Sequence, residues 1–217
     1  MTQFPLNATD YINASHISLS GTSQRYIASQ GPLPTTYNDF WQMCAQEEVG
    51  VIIMLTNLHE GGREKCGRYW IEEPGSEWDI RVEGEIKEDP VLDQRNTGFF
   101  SSPSGSPSLS TSSPSAMSAE PTLQTTLRRT IYFKRKSDPA SFPPRKIQHI
   151  QFIGWPDFDV PANTGEVLGL VKEVEQAQES YLNERGREGK GGRPPVLAHC
   201  SAGVRSFSYR SFVLSEC

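Results

Sequence analysis

The chain has 217 residues, a formal net charge of −5 and four cysteines. This length suits one domain with a substantial core, and the acidic balance argues against a dedicated nucleic-acid binder, which usually presents a basic face. The longest apolar stretch, Val49–Leu55, is too short to cross a bilayer. The N-terminal residues lack the basic and apolar regions of a secretory signal. Because the cysteines lie far apart without zinc-ligand spacing, we expect a reducing, cytoplasmic location.

The first globular segment, residues 1 to about 96, contains a mixture of predicted strands and one helix. Tyr11–Ser15 and Gln24–Ser29 have the composition of short strands separated by a Ser/Gly/Thr turn. Thr35–Glu48 follows two prolines and is predicted to be helical, because its bulky apolar residues fall on one face. Val51–Leu55 predicts a buried strand, and Tyr69–Ile71 predicts the start of another. The helix face consists of Phe40, Trp41, Cys44 and Ala45.

Residues 97 to about 127 differ in composition from the rest of the chain. The stretch is rich in serine and proline and almost free of apolar residues, so it cannot repay the entropy of ordering and is predicted to be a disordered insertion. Ser102, Ser106 and Ser113 each precede a proline. They could accept phosphate from proline-directed kinases, although an unmodified flexible loop explains the same composition.

The remainder of the chain is again globular. Leu127–Lys134 and Lys146–Phe152 predict strands, and Thr164–Asn183 predicts an amphipathic helix. A charged, glycine-rich loop at residues 186–195 leads into a last apolar strand that ends at Cys200. Strands that alternate with helices indicate an α/β domain, in which we expect a mixed central sheet flanked by helices. The expected buried stripe of the second helix comprises Val167, Leu168, Val171, Val174, Ala177 and Leu182.

The residues around Cys200 have the pattern of an anion-binding loop with a nucleophile. A buried strand delivers His199 and Cys200 to a turn of small residues, Ser201 to Gly203, whose backbone N–H groups can converge on an anion. A helix N-terminus after such a turn would favour the thiolate and hold a phosphate. Arg205 could then bind two phosphate oxygens. His199 has no partner at metal-ligand spacing, so we expect it to orient the cysteine loop by a hydrogen bond.

Asp157 supplies the second group that this chemistry requires. A thiolate that attacks a phosphomonoester needs an acid to protonate the departing oxygen. The Trp155-Pro156-Asp157 tripeptide lies in a predicted loop upstream of the cysteine. An isolated tripeptide of this kind usually marks a turn with a packed indole, but here it precedes a cysteine loop that needs an acid.

Several segments together resemble the protein-tyrosine phosphatases. The His-Cys loop, the Trp-Pro-Asp loop and Glu60–Trp70 are similar to family motifs, as are Asp10–Ser15 and Tyr26–Pro32. The resemblance covers residues 8–96 and 127–204, so that residues 1–217 form a partial, incomplete phosphatase-like domain with the Ser/Pro-rich insertion. It implies the cytosolic, tyrosine-specific class of these signalling hydrolases.

The resemblance also implies roles for individual residues. Cys200 would be the nucleophile, Asp157 the acid and later the base, and Arg205 the phosphate-binding cation. Lys65 would be an electrostatic partner of Asp157. The substrate would be a phosphotyrosine-containing protein, and neither a metal nor an organic cofactor is implied. We expect a monomer that binds neither nucleic acid nor membrane. The remaining substrate-binding positions would be Ser201, Ala202, Gly203, Val204 and His199.

The resemblance stops after Val204. The family places five residues between cysteine and arginine, whereas four separate Cys200 from Arg205, and Ser206 stands where the arginine is expected. The family's N-terminal helical region, its tyrosine-bearing loop, the helix behind the cysteine loop and its glutamine loop have no counterpart. We therefore expect this chain to be truncated at both ends relative to the family and impaired as an enzyme.

Two other function classes fit parts of the pattern. A non-catalytic phosphatase-like module would bind phosphotyrosine or a partner protein without turning it over. A rhodanese-like sulfur transferase also uses a cysteine in an anion-binding loop, but the Trp-Pro-Asp tripeptide and the N-terminal motifs argue against it. Turnover of a phosphotyrosine peptide separates the enzyme from the binding module.

Overall fold

A seven-stranded mixed sheet forms the centre of the protein. The computed structural model describes residues 11–18, 21, 23–83, 126–154, 164–187 and 193–202. All of them belong to one unit made of residues 1–86 and 125–217. The predicted disordered insertion at 97–127 lies outside the described residues except for its last two positions, which begin a strand.

The strand order places four parallel strands in the middle of the sheet. The order is β1-β2-β9-β3-β8-β7-β6. Strands β2, β9, β3 and β8 are parallel, while β1, β7 and β6 extend the sheet in antiparallel fashion. The mixed sheet predicted from the sequence is confirmed. The strands are β1 (Ala14–Ser18), β2 (Arg25–Ser29), β3 (Val51–Met54), β4 (His59–Glu60), β5 (Arg63–Glu64), β6 (Trp78–Glu83), β7 (Thr126–Arg135), β8 (Arg145–Phe152) and β9 (Val196–His199).

Two helices cover opposite faces of the central strands. Helix α1 spans Tyr37–Gln46 after a 3-10 turn at Pro34–Thr36, and helix α2 spans Thr164–Arg187. Side chains alternate between the faces of a strand, so Ile52 and Met54 of β3 pack with α1 while Val51 and Ile53 pack with α2. Coverage of both faces explains why β3 is apolar and buried at every position.

Ion pairs join α2 to three other parts of the chain. Glu173 binds Arg128 of β7, and Glu184 accepts hydrogen bonds from Lys146 of β8. Arg185 binds Glu48, just after α1. Beneath these pairs, α2 contacts the sheet through a buried stripe. This stripe contains Val167, Leu170, Val174 and Gln178, with Val171 and Ala177 partly buried.

Most predicted elements are present, and three details differ. The strand predicted at Tyr11–Ser15 begins later, because β1 spans Ala14–Ser18. The prediction that Tyr69–Ile71 begins a strand is wrong: these residues form a turn, in which the Ile71 N–H donates to the Arg68 carbonyl and the Trp41 indole donates to the Tyr69 carbonyl. Leu170 replaces Leu168 at the centre of the buried stripe of α2. Among the described residues, no helix has the length and apolar character needed to span a membrane.

Candidate active site at the end of strand β9

Cys200 lies at the carboxyl end of a strand that is paired on both sides. Strand β9 is hydrogen-bonded to β2 and β3 in parallel register, and the Leu55 N–H donates to the His199 carbonyl at the point where the strand ends. Cys200 follows directly and is 2% exposed. Ligands in open α/β sheets bind outside the carboxyl ends of such strands, so the fold places this thiol where a site is expected.

Gly31 forms the floor beneath the start of the cysteine loop. Its N–H donates to the Ser201 carbonyl at 3.0 Å. A Cβ at this position would lie 2.6 Å from the Cys200 carbonyl oxygen and 3.1 Å from Cys66 Sγ. Beyond this contact the chain leaves the interior, since Ser201 is half-buried and Ala202 is exposed. The close approach fixes the backbone of Cys200 against the end of β2.

Substitution of Gly31 by alanine is expected to destabilise the protein by about 1–3 kcal/mol, the usual cost of overpacking. The added methyl group would collide with a backbone oxygen that is held by neighbouring strands. Urea unfolding measures the effect. The matched control is Gly169→Ala in α2, where the new methyl group has no atom within 4 Å and helix propensity predicts up to about 1 kcal/mol of stabilisation. Equal responses of the two variants would contradict the proposed contact.

A chain of buried hydrogen bonds leads away from Cys200 into the core. His199 Nδ1 lies 3.1 Å from the Cys200 carbonyl oxygen, and its Nε2 lies 2.8 Å from the Tyr69 hydroxyl. The same hydroxyl lies 2.8 Å from His149 Nε2, and His149 Nδ1 lies 3.2 Å from Arg129 Nη1. Tyr69, His149 and His199 are each 0% exposed. The backbone of the nucleophile candidate is thus tied to residues of β7 and β8 through side chains alone.

The two histidines that take part in these hydrogen bonds, His149 and His199, are neutral. Burial lowers the pKa of His199 to about 4. Burial, followed by the charges of Arg129 and His199, lowers the pKa of His149 well below its usual value. Burial also raises the pKa of Tyr69 well above 10, so its hydroxyl stays protonated. A neutral imidazole donates from one nitrogen and accepts at the other, which gives every bond in the chain one direction.

At the far end of these hydrogen bonds, Arg129 is held by a further hydrogen bond and by a cation–π contact. Its Nη2 donates to Gln151 Oε1 at 2.8 Å, and Gln151 Nε2 donates to the Thr56 carbonyl at 3.0 Å. The guanidinium carbon lies 4.3 Å from the centre of the Trp70 ring, at cation–π distance. Burial lowers the pKa of Arg129 to about 10, so the group still carries its charge at neutral pH.

Cys66 is a second thiol near the loop. Burial, followed by the charges of Glu64 and Cys200, raises the pKa of Cys66 to about 12. Cys66 is therefore a neutral packing residue against Gly31, not a competing nucleophile. Its neighbour Lys65 is half-buried, and the Lys65 N–H donates to the Leu58 carbonyl at 2.7 Å. Lys65 thus directly precedes the residue whose sulfur packs against Gly31.

The structure describes part of the site predicted from the sequence. It brings together Cys200, His199 and Ser201, and His199 makes the expected hydrogen bond to the cysteine backbone. Asp157 and Arg205 lie outside the described residues, as do Gly203 and Val204. Their predicted roles remain predictions, as does the pairing of Lys65 with Asp157. No group of three or more His, Cys, Asp or Glu side chains within the described ranges could hold a metal ion.

Three residues of the site were not found from the sequence. The sequence pattern places Tyr69 within a family motif and at the start of a predicted strand. His149 and Arg129 fall within predicted strands that carry no motif. The available signal was the presence of polar residues in strands that must be buried on both faces, because such groups need hydrogen-bond partners inside the protein.

Comparison with known proteins identifies the family. The protein-tyrosine phosphatase family profile matches residues 2–96 and 110–210. The chain belongs to the protein-tyrosine phosphatase family. The match extends six residues past Val204, where the resemblance read from the sequence ended, and includes part of the predicted insertion.

Individual relatives support the same assignment. The chain is 33% identical over 198 residues to human tyrosine-protein phosphatase non-receptor type 9, covering 90% of this chain and 28% of that protein. It is 34% identical to human non-receptor type 7, covering 90% of this chain and 41% of the relative. The solved catalytic domain of human non-receptor type 18 superposes with a TM-score of 0.62 at 25% identity, covering 97% of this chain and 61% of that one. The chain thus spans less than half the length of these two curated relatives.

Proposed function

We propose that this domain is built to hydrolyse phosphotyrosine in proteins through a cysteinyl-phosphate intermediate. The observation that carries the proposal is the position of Cys200 at the carboxyl end of β9, with its carbonyl bound by His199, in a chain that belongs to the phosphatase family. A thiolate at this position can attack a phosphorus atom held outside the sheet edge.

The proposed reaction has two steps. The Cys200 sulfur forms a bond to phosphorus while the bond to the tyrosine oxygen breaks, and that oxygen takes a proton from Asp157. Water then attacks the phosphorus, giving its proton to Asp157, and the sulfur leaves as a thiolate. The roles of Asp157 and Arg205 in this scheme rest on the family resemblance of their motifs.

We further propose that this particular chain is severely impaired as a catalyst. Arg205 follows Cys200 one residue earlier than the family pattern requires. If helical geometry begins in the loop, one missing residue turns a side chain by about 100°. Loss of one preorganised charge-stabilising donor typically costs about 10²–10³ in rate. The same loop could still bind a phosphate weakly, which is the non-catalytic alternative.

We expect turnover of a phosphotyrosine peptide at least about 10²-fold slower than by the catalytic domain of human non-receptor type 7. The measurement is phosphate release by the purified chain, beside its Cys200→Ser variant, after circular dichroism has shown that both are folded. Turnover at the rate of the reference domain that disappears in Cys200→Ser would show that Arg205 reaches the phosphate and would refute the impairment. Peptide binding without Cys200-dependent turnover would favour the binding module.

We also propose a reducing compartment for this protein. Cys44, Cys66 and Cys200 are free thiols among the described residues, which supports a reducing compartment such as the cytoplasm. The monomeric state and the phosphotyrosine-containing partners are also proposed.

A further inference from the structure

We propose that Arg129 is a positioning residue for the cysteine loop, acting through His149, Tyr69 and His199 on the Cys200 carbonyl. The side-chain contacts of Arg129 described above are with His149, Gln151 and Trp70 rather than with the cysteine loop itself. It lies on β7, two strands away from β3 and three away from β9 in the sheet. Its influence on the loop therefore depends on the continuity of the hydrogen-bonded chain between them.

The direction of these hydrogen bonds requires a donor at the end farthest from Cys200. The Cys200 carbonyl can only accept, so His199 donates from Nδ1 and accepts at Nε2 from the Tyr69 hydroxyl. The Tyr69 oxygen then accepts from His149 Nε2, which leaves a lone pair on His149 Nδ1. A guanidinium only donates, and Arg129 Nη1 faces that lone pair. All four bonds are satisfied because one end only accepts and the other only donates.

No other described contact supplies the donor that Arg129 provides. His149 is 0% exposed, and Arg129 is 3% exposed, so bulk water does not reach this end. Without Arg129, the His149 ring would keep a buried acceptor without a donor, which costs free energy. Rotation of the ring toward another partner would relieve that cost but would break the bond to Tyr69. The Tyr69 hydroxyl would then be less well fixed as a donor to His199.

The guanidinium of Arg129 is itself held in place by several contacts, so it can fix the position of the His149 ring. Its second nitrogen is bound to Gln151, its face packs on Trp70, and Gln151 is bound to the Thr56 carbonyl next to the end of β3. Bonds in such a chain polarise one another in a low-dielectric interior. The charge of Arg129 therefore strengthens each successive donor, up to the bond that His199 makes to the Cys200 carbonyl.

The first test observes the chain directly and does not depend on phosphatase activity. The protein has four histidines, and His16 and His59 are exposed. In a ¹⁵N-labelled sample, long-range proton–nitrogen correlation spectra are expected to show two slowly exchanging ring N–H groups, at His149 Nε2 and His199 Nδ1. An Nε2–H tautomer at His199, or an Nδ1–H tautomer at His149, would overturn the proposal in the unmodified protein.

The second test removes the donor. In Arg129→Met, we expect the ring proton of His149 to be shared between Nε2 and Nδ1 instead of residing on Nε2 alone. The ring proton of His199 should exchange with solvent at least about tenfold faster. Arg129→Lys, which keeps a cationic donor, is expected to restore part of the protection. The control Arg128→Met removes an exposed neighbour that pairs with Glu173 and should change neither signal. Unchanged His199 protection in folded Arg129→Met would overturn the proposal.

The third test separates positioning from a general loss of stability. A role of Arg129 in orienting the Cys200 loop rests on the proposed function. It is measured from the rate at which iodoacetamide alkylates Cys200, because this reaction requires no turnover of substrate. We expect Arg129→Met to slow this rate about threefold to tenfold, the effect of weakening one hydrogen bond. In a Tyr69→Phe background, where the chain is already cut, Arg129→Met should have no further effect. Multiplicative effects of the two substitutions would show a structural role instead.

Discussion

Replacing Tyr69 by phenylalanine is expected to lower the free energy of unfolding by about 2–6 kcal/mol. The substitution keeps the ring, which packs at 4.9 Å from Phe40 and 5.0 Å from Trp70 between ring centres. It removes the one hydroxyl that joins His149 to His199. Each buried polar group left without a partner costs about 1–3 kcal/mol, and two are left here. Urea unfolding at pH 7.5 measures the loss.

The matched control for Tyr69 is Tyr132→Phe on β7. The Tyr132 side chain is half-buried, with Arg81 stacked on its ring, and removal of its hydroxyl should change stability by no more than about 0.5 kcal/mol. A Tyr69→Phe variant as stable as Tyr132→Phe would mean that the histidines find other partners. In that case the buried chain would not anchor the cysteine loop.

Lowering the pH from 7.5 to 5 is expected to destabilise the fold, with about 2 kcal/mol of the loss from His199 alone. In the unfolded chain a histidine takes up a proton near pH 6.5, whereas burial lowers the pKa of His199 to about 4 in the folded protein. The stabilisation is complete above pH 6.5 and is lost as the pH falls toward 4. The lowered pKa of His149 acts in the same direction.

The pH effect is measured from urea unfolding curves at half-unit steps between pH 7.5 and 5. The slope of the free energy of unfolding against pH gives the number of protons taken up on unfolding. The variant His199→Gln cannot titrate at this position, so its slope should be smaller than that of the parent by one proton near pH 5. A parent protein with constant stability over this range would contradict the neutral buried histidines.

The sequence predicted the fold because its strongest signals are local and periodic. Val51–Leu55 could only be a buried strand, and the spacing of Val167, Val171 and Val174 marks a helix with one apolar face. Both elements are present, as β3 and α2. Small glycine-containing turns after an apolar run likewise located Cys200 at a strand end. Such features depend on neighbouring residues, which a sequence displays directly.

The rest of the site could not be predicted because it depends on the register of paired strands and on side-chain contacts between distant parts of the sequence. His149 and Arg129 meet only because β7 and β8 pair with these two residues opposite each other. Tyr69 reaches both histidines from a turn, where apolar content had suggested a strand. The side-chain bonds cross 80 and 130 positions of the sequence. No spacing rule along the chain contains that information.

The attachment of α2 has a consequence for the response of the fold to ionic strength. Two of its three ion pairs, with Arg128 and Lys146, lie at the surface, where added salt screens them and each contributes at most about 1 kcal/mol. The third pair, between Arg185 and Glu48, is partly buried. Val167, Leu170 and Val174 are at most 5% exposed, and burial of such side chains contributes about 1.5–3 kcal/mol each. We therefore expect α2 to stay packed on the face of the sheet formed by Val51, Ile53 and Ala198 in concentrated salt. Its ion pairs contribute more to the orientation of the helix than to the free energy of packing.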